Sequence, residues 1–152
     1  MNLASTIAAE LGIDPQSLLL LRHGNRKTAA LRKAGASIEE YTLVQPTDSK
    51  YDFSVSRINE PPLQAVAVIV DDKVHAVYKI VGVEKVGTTR SLTSAAFSRF
   101  DIEAGYPEKP AKRFAATECS SRTLHRPISG WTSPRNAVAR YGSKMFDSVE
   151  VL

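Results

Sequence analysis

Cys119 is the only cysteine and His23, His75 and His125 the only histidines in 152 residues, so neither an intrachain disulfide nor a metal cluster of paired cysteines can form. A reducing, cytoplasmic compartment is the simpler expectation. The longest unbroken run of leucine, Leu18 to Leu21, is far short of the roughly 18 apolar residues that a membrane span needs, and Met1 to Leu11 contains no basic leader. The chain therefore reads as untargeted and without membrane association. It has no phosphate-cradling glycine loop, no His-Glu-x-x-His and no Gly-x-Ser-x-Gly. Repeats and low-complexity tracts are also missing, and no linker is long enough to divide the chain, so residues 1–152 are expected to form one domain.

What is present is segregated charge. Residues 22–33 hold five cations and no acid, and residues 109–144 hold eight cations and one acid, Glu118. The stretch between them carries seven cations against eleven acids, so the overall net charge of +4 conceals a local excess. Cations attract phosphate by releasing condensed counterions, which makes nucleic acid, DNA or RNA, the partner this pattern points to. In the first cluster the apolar run Leu18 to Leu21 ends in Arg22-His23-Gly24-Asn25-Arg26-Lys27. A buried run that stops in cations holds them at a fixed place on the surface. In the second, Phe114, Trp131 and Tyr141 are interleaved with arginines and could stack on bases where exposed.

Hydrophobic spacing predicts a short helix through Ile7, Ala8 and Leu11 closed by Gly12, then a single turn capped by Asp14-Pro15. Leu18 to Leu21 reads as a strand covered on both faces. Asn25 caps a short basic helix, Arg26 to Ala34, closed by Gly35, with Ala29, Ala30 and Leu31 toward the core. Ile38 to Val44 reads as a strand and Gln45 to Ser49 as a loop. The clearest signal is a hairpin, Ala65–Val70 and Val74–Val83, turned at Asp71-Asp72-Lys73. Its two strands should be central and covered on both faces, with Gly82 at a bulge or close backbone approach. Ser94 caps a helix through Ile102, and Met145 to Leu152 reads as a closing strand. Strands and helices out of βαβ order indicate α+β. The expected architecture is a small mixed or antiparallel curved sheet, or a partly closed β-barrel, with two or three short helices.

Chemistry-bearing groups are sparse. Cys119 lies six residues before His125 and beside Arg122, which supplies a thiol with a base and a positive setting in principle, although a half-buried thiol is the plainer reading. Asp48, Asp52 and Glu60 near Lys50 and Arg57 echo metal-dependent nucleases but sit in turn-rich sequence, where solvated charge is the stronger reading. No cofactor and no metal site is expected, and catalysis is assigned to no residue.

Leu19-Leu20-Leu21-Arg22-His23, Glu40-Tyr41, Phe53, the run Ala76 to Val83, and Leu124 with Ile128-Ser129-Gly130-Trp131 together resemble the domain that precedes the catalytic module in some bacterial GIY-YIG nucleases. The resemblance spans most of the chain and implies a small β-rich, PUA-like domain in a restriction or nucleic-acid-processing context. It implies Arg22 and His23 at a phosphate or base edge, Tyr41 and Trp131 shaping a pocket, and a partner protein supplying chemistry. Neither Gly-Ile-Tyr nor Tyr-Ile-Gly occurs, so hydrolysis is not carried over. The expected function is thus a non-enzymatic nucleic-acid-interacting domain gripping the phosphate backbone through Arg22, His23, Arg26, Lys27, Tyr41, Arg113, Arg122, Arg126, Trp131 and Arg135. A phosphodiesterase or nuclease using His23, His125 and an acid, or Cys119, is the first alternative. A protein-interaction or regulatory module is the second.

Overall fold

The computed structural model describes residues 1–46, 63–88, 110–132 and 138–152. These fall into two compact units, one drawn from Met1–Gly24, Ser54–Ile80 and Thr117–Leu152, the other from Asn25–Phe53 and Val81–Ala116. The class is α+β, with a mixed sheet and a few short helices, as the element order predicted.

The first unit begins with α1, Leu3–Leu11. Asn2 caps it by accepting the Ser5 N–H at 2.9 Å, and Gly12 closes it at φ +66°, in the left-handed region that side chains rarely tolerate. Asp14 then caps the 3-10 turn Pro15–Ser17, and the leucines form β1, Leu18–His23. Strand β3, Ala65–Val70, pairs with β1 in parallel, from Leu18↔Ala65 to His23↔Val70. On its other side β3 pairs antiparallel with β4, Lys73–Thr88, whose residues up to Ile80 belong to this unit. Beyond β1 lies β7, Val138–Arg140, antiparallel to it. All six residues of β3 and five of six in β1 are buried, which explains their unbroken apolar sequence.

Leu18, Leu20, Ala65, Ala67 and Ile69 pack with Leu3 and Ile7 of α1 and with Met145, Phe146, Val149 and Val151 into one core. The first half of the expected closing strand is helix. α4, Lys144–Ser148, is capped by the Ser143 hydroxyl, which accepts the Phe146 N–H, and only β8, Glu150–Val151, is extended; it pairs with β6, Ile128–Ser129. One helical turn puts both Met145 and Phe146 into the core, whereas strand alternation would send one outward.

The second unit contains α2, Asn25–Lys33, and α3, Ile38–Leu43, followed by β2, Val44–Pro46. β2 is antiparallel to β5, Pro110–Glu118, whose residues up to Ala116 belong here, and β5 neighbours β4. The strand expected over Ile38 to Val44 is therefore a helix with a short strand after it. Ser37 accepts the Glu40 N–H at 3.2 Å, the Ser-x-x-Glu spacing of a capped N-terminus. In α2, Thr28 and Leu31 are buried while Ala29 is exposed, so the inward stripe is narrower than the sequence suggested.

The hairpin is present and its second strand is central in the sheet, but it is covered on both faces only at its start. Val74 and Ala76–Tyr78 are buried, and from Lys79 onward β4 is largely exposed. Gly82 is not a close backbone approach, since a Cβ there would meet nothing within 4 Å; within the hairpin the register shifts between Val68 and Ile69, opposite His75. The expected helix Ser94 to Ile102 and the acidic set Asp48, Asp52 and Glu60 lie outside the described residues.

The close approach is at Gly130. At φ +88°, a Cβ there would lie 2.2 Å from the Ser148 carbonyl oxygen, a backbone atom that cannot move aside without shifting the β6–β8 pair. Gly130→Ala should cost about 2 kcal/mol or more, lowering Tm by roughly 4 to 8 °C in a thermal melt. Gly82→Ala should change stability by less than about 0.5 kcal/mol. Equal effects at the two positions would contradict the placement of the close approach.

Candidate nucleic-acid interface

The candidate residues divide between the units. Arg22, His23, Arg122, Arg126 and Trp131 belong to the first; Arg26, Lys27, Tyr41 and Arg113 belong to the second; Arg135 lies outside the described residues. Each group is set by its own unit.

In the first unit the parallel pairing brings the end of β1 beside the hairpin turn, where Asp71 and Asp72 both adopt positive φ, 54° and 56°. Two left-handed residues in succession form the turn that suits the twist of a two-residue hairpin. The Asp72 carbonyl accepts the Ile128 N–H at 2.9 Å, and its carboxylate accepts the Arg22 Nε–H at 3.3 Å. Arg22 is 19% exposed and already faces a carboxylate, so a phosphate there competes with Asp72. His23, expected at the surface, is 6% exposed within the strand. The anchored cationic turn is thus anchored more firmly than its sequence implies, and less cationic.

Arg126 serves the chain itself. Its Nε and Nη2 donate to the main-chain oxygen of Leu152 at 3.1 and 2.7 Å, and the Leu152 N–H returns to Pro127. Arg122 is exposed; its backbone N–H and the Ser121 hydroxyl hold the two oxygens of Glu10 at 3.0 and 2.7 Å, which fixes the loop that carries it. Trp131 is half-buried against the core and Phe114 fully buried, whereas Tyr141 is 52% exposed. No sequence signal separates Tyr141 from the other two, because a lone aromatic beside Gly142 has no distinctive spacing.

In the second unit α2 carries Arg26, Lys27, Arg32 and Lys33 and no acid. Burial of Thr28 and Leu31 turns one side inward and leaves Arg26, Arg32 and Lys33 exposed and Lys27 half-exposed. Tyr41 is 3% exposed. Arg113, paired with Val44 across β2 and β5, makes an ion pair with Glu40. The hydrogen bond to Glu40 raises its pKa above the usual guanidinium value, against the effect of burial, with further support from the charges of Glu40, Glu39 and Glu84. This arginine sits in an acidic setting.

Among the described residues no three His, Cys, Asp or Glu side chains gather in a way that could hold a metal. Cys119 is half-buried against the core, its Sγ donating to the Thr117 carbonyl at 3.5 Å, and His125 is exposed at φ 66° with its N–H on the Val74 carbonyl.

The Arg113–Glu40 contact is partly shielded by protein, and a double-mutant cycle with Arg113→Ala and Glu40→Ala should return a coupling of about 0.5 to 1 kcal/mol. The coupling should shrink in about 1 M salt. A value of zero at low salt would mean that the pair contributes nothing to stability.

No helix among the described residues is long and apolar enough to cross a membrane. No family model matches the chain, and no curated protein matches it. The resemblance to GIY-YIG-associated domains thus gains no match. Among solved structures the chain is similar to the ASCH protein of Zymomonas mobilis, at 11% identity and TM-score 0.41, over 86% of this chain and 91% of that one. A single-residue variant of that protein is similar at 14% identity and TM-score 0.39, over 86% and 93%. No residue role is carried over from likenesses of this size.

Proposed function

We propose that the chain is a non-enzymatic, PUA-like nucleic-acid-interacting module that binds the phosphate backbone of DNA or RNA from a cytoplasmic setting. Helix α2 carries this reading. Four cations on nine residues, with no acid among them and Thr28 and Leu31 facing inward, make this helix strongly basic. A macromolecule that presents many phosphates gains from such a helix by releasing counterions, whereas a single small anion engages only part of it. Arg26, Lys27, Arg32 and Lys33 are the main contacts in this reading, with Arg122 a further one. Arg22, Arg113 and Arg126 contribute less, because each already holds a protein oxygen. His23, Tyr41 and Trp131 support the framework rather than touch phosphate, being buried or half-buried. Arg135 belongs to the reading through its sequence alone. A restriction or nucleic-acid-processing context, with a partner protein supplying the chemistry, is the setting in which a module without its own catalytic residues has a use.

Binding of labelled oligonucleotides, followed by anisotropy between 50 and 200 mM salt, tests this reading, with log affinity falling linearly in log salt at a slope of about −0.9 per duplex phosphate neutralised. Replacing Arg26, Lys27, Arg32 and Lys33 by alanine should flatten that slope by roughly 2 to 4. Undetectable binding at micromolar protein, or affinity that ignores salt, would sink the proposal.

A further inference from the structure

We infer that Tyr141 is a stacking platform for an unpaired base, so that the nucleic acid this module takes is single-stranded at that point. The inference rests on the nucleic-acid reading above and assigns it a second surface, within the first unit. Tyr141 differs from the other aromatics considered in the basic stretch, Phe114 and Trp131, because more than half of its surface is in water. It is nevertheless held in place. The Ser143 N–H returns to the Arg140 carbonyl at 3.0 Å and Gly142 stands at φ +85°, which places Tyr141 at the projecting corner of a hydrogen-bonded turn of the type that needs glycine third. The Ser143 hydroxyl tightens the turn by donating to the same carbonyl at 2.7 Å, and it also caps α4.

Cap and turn therefore share one side chain, and α4 inserts Phe146 into the core. The Tyr141 and Phe146 rings pack in a T-shaped pair, at 6.2 Å between centroids and 73° between planes. An aromatic anchored on a buried ring loses little freedom when a base settles on it, which is what a stacking site requires. Arg140 precedes it on β7 and Lys144 follows on α4. An exposed ring flanked in sequence by cations matches the base-and-backbone chemistry of a single strand, whose bases are free to leave the stack. Duplex bases are already stacked and offer it nothing.

The test compares a labelled thymidine oligomer with an abasic oligomer of equal length and charge, binding to the full chain. Tyr141→Ala should weaken the thymidine oligomer roughly 5- to 100-fold, the loss expected of one base–aromatic stack, and Tyr141→Phe should preserve it. The abasic oligomer should bind wild type and Tyr141→Ala alike. Should Tyr141→Ala melt early, Tyr141→Leu keeps apolar cover on Phe146 without a π face and should show the same selective loss. Equal weakening on both oligomers, or none on either, would overturn the stacking role while leaving the phosphate reading standing. A wild-type chain that binds neither oligomer would overturn both.

Discussion

The parallel pairing of β1 with β3 is the constraint on which the first unit depends. Two adjacent strands buried on both faces leave no room for a polar residue until the strand ends, and Leu18 and Leu20 share one core with Ala65 and Ala67. Removing one such leucine side chain would cost about 2 to 5 kcal/mol, a large share of a domain's net stability. The same register fixes where the polar residues begin. Arg22 lies opposite Ile69, one residue from the hairpin's end, and so it meets the turn that β3 and β4 make.

That turn shows how the fold disposes of charge. Asp72 is held in a left-handed conformation, with its carbonyl bound by Ile128 and its carboxylate by Arg22. Glu40 does the same for Arg113, and the oxygen of Leu152 for Arg126. Three arginines that look alike in sequence are thus used in building the molecule, each against an oxygen distant in sequence. The cations of α2 stand instead on a helix that buries only Thr28 and Leu31 and carries no acid of its own. A basic cluster is therefore best weighed residue by residue: those that position carbonyls and carboxylates hold the fold, and those left in water set the field outside it.

Aromatics are sorted by the same logic. Among the described residues, Phe114 and Phe146 are buried and Trp131 half-buried, while Tyr141 stands exposed on a turn whose geometry is fixed by Gly142 and Ser143. Its ring packs on Phe146, which is buried in the core. Exposure and rigidity seldom coincide in a side chain, and here one hydroxyl, that of Ser143, serves both the turn and the helix behind it.

Local signals in the sequence determined the elements whose cause is local. Asn2 and Gly12 delimit α1, Asp14-Pro15 the 3-10 turn, Gly35 the end of α2, and the valine-rich runs around Asp71-Asp72 the hairpin. Ile38 to Val44 and Met145 to Leu152 read as strands in sequence because short apolar segments fit either period. A serine cap decided each, at Ser37 and Ser143. Charge segregation was equally plain in the sequence, since it needs only counting. What the sequence could not contain is which cations are already spoken for. Asp72 lies fifty residues from Arg22 and Glu40 more than seventy from Arg113, and only the register of strands paired through backbone hydrogen bonds brings such partners together. Tertiary structure likewise decided that His23 is inside and Tyr141 outside, because burial depends on what packs against a residue and not on its type.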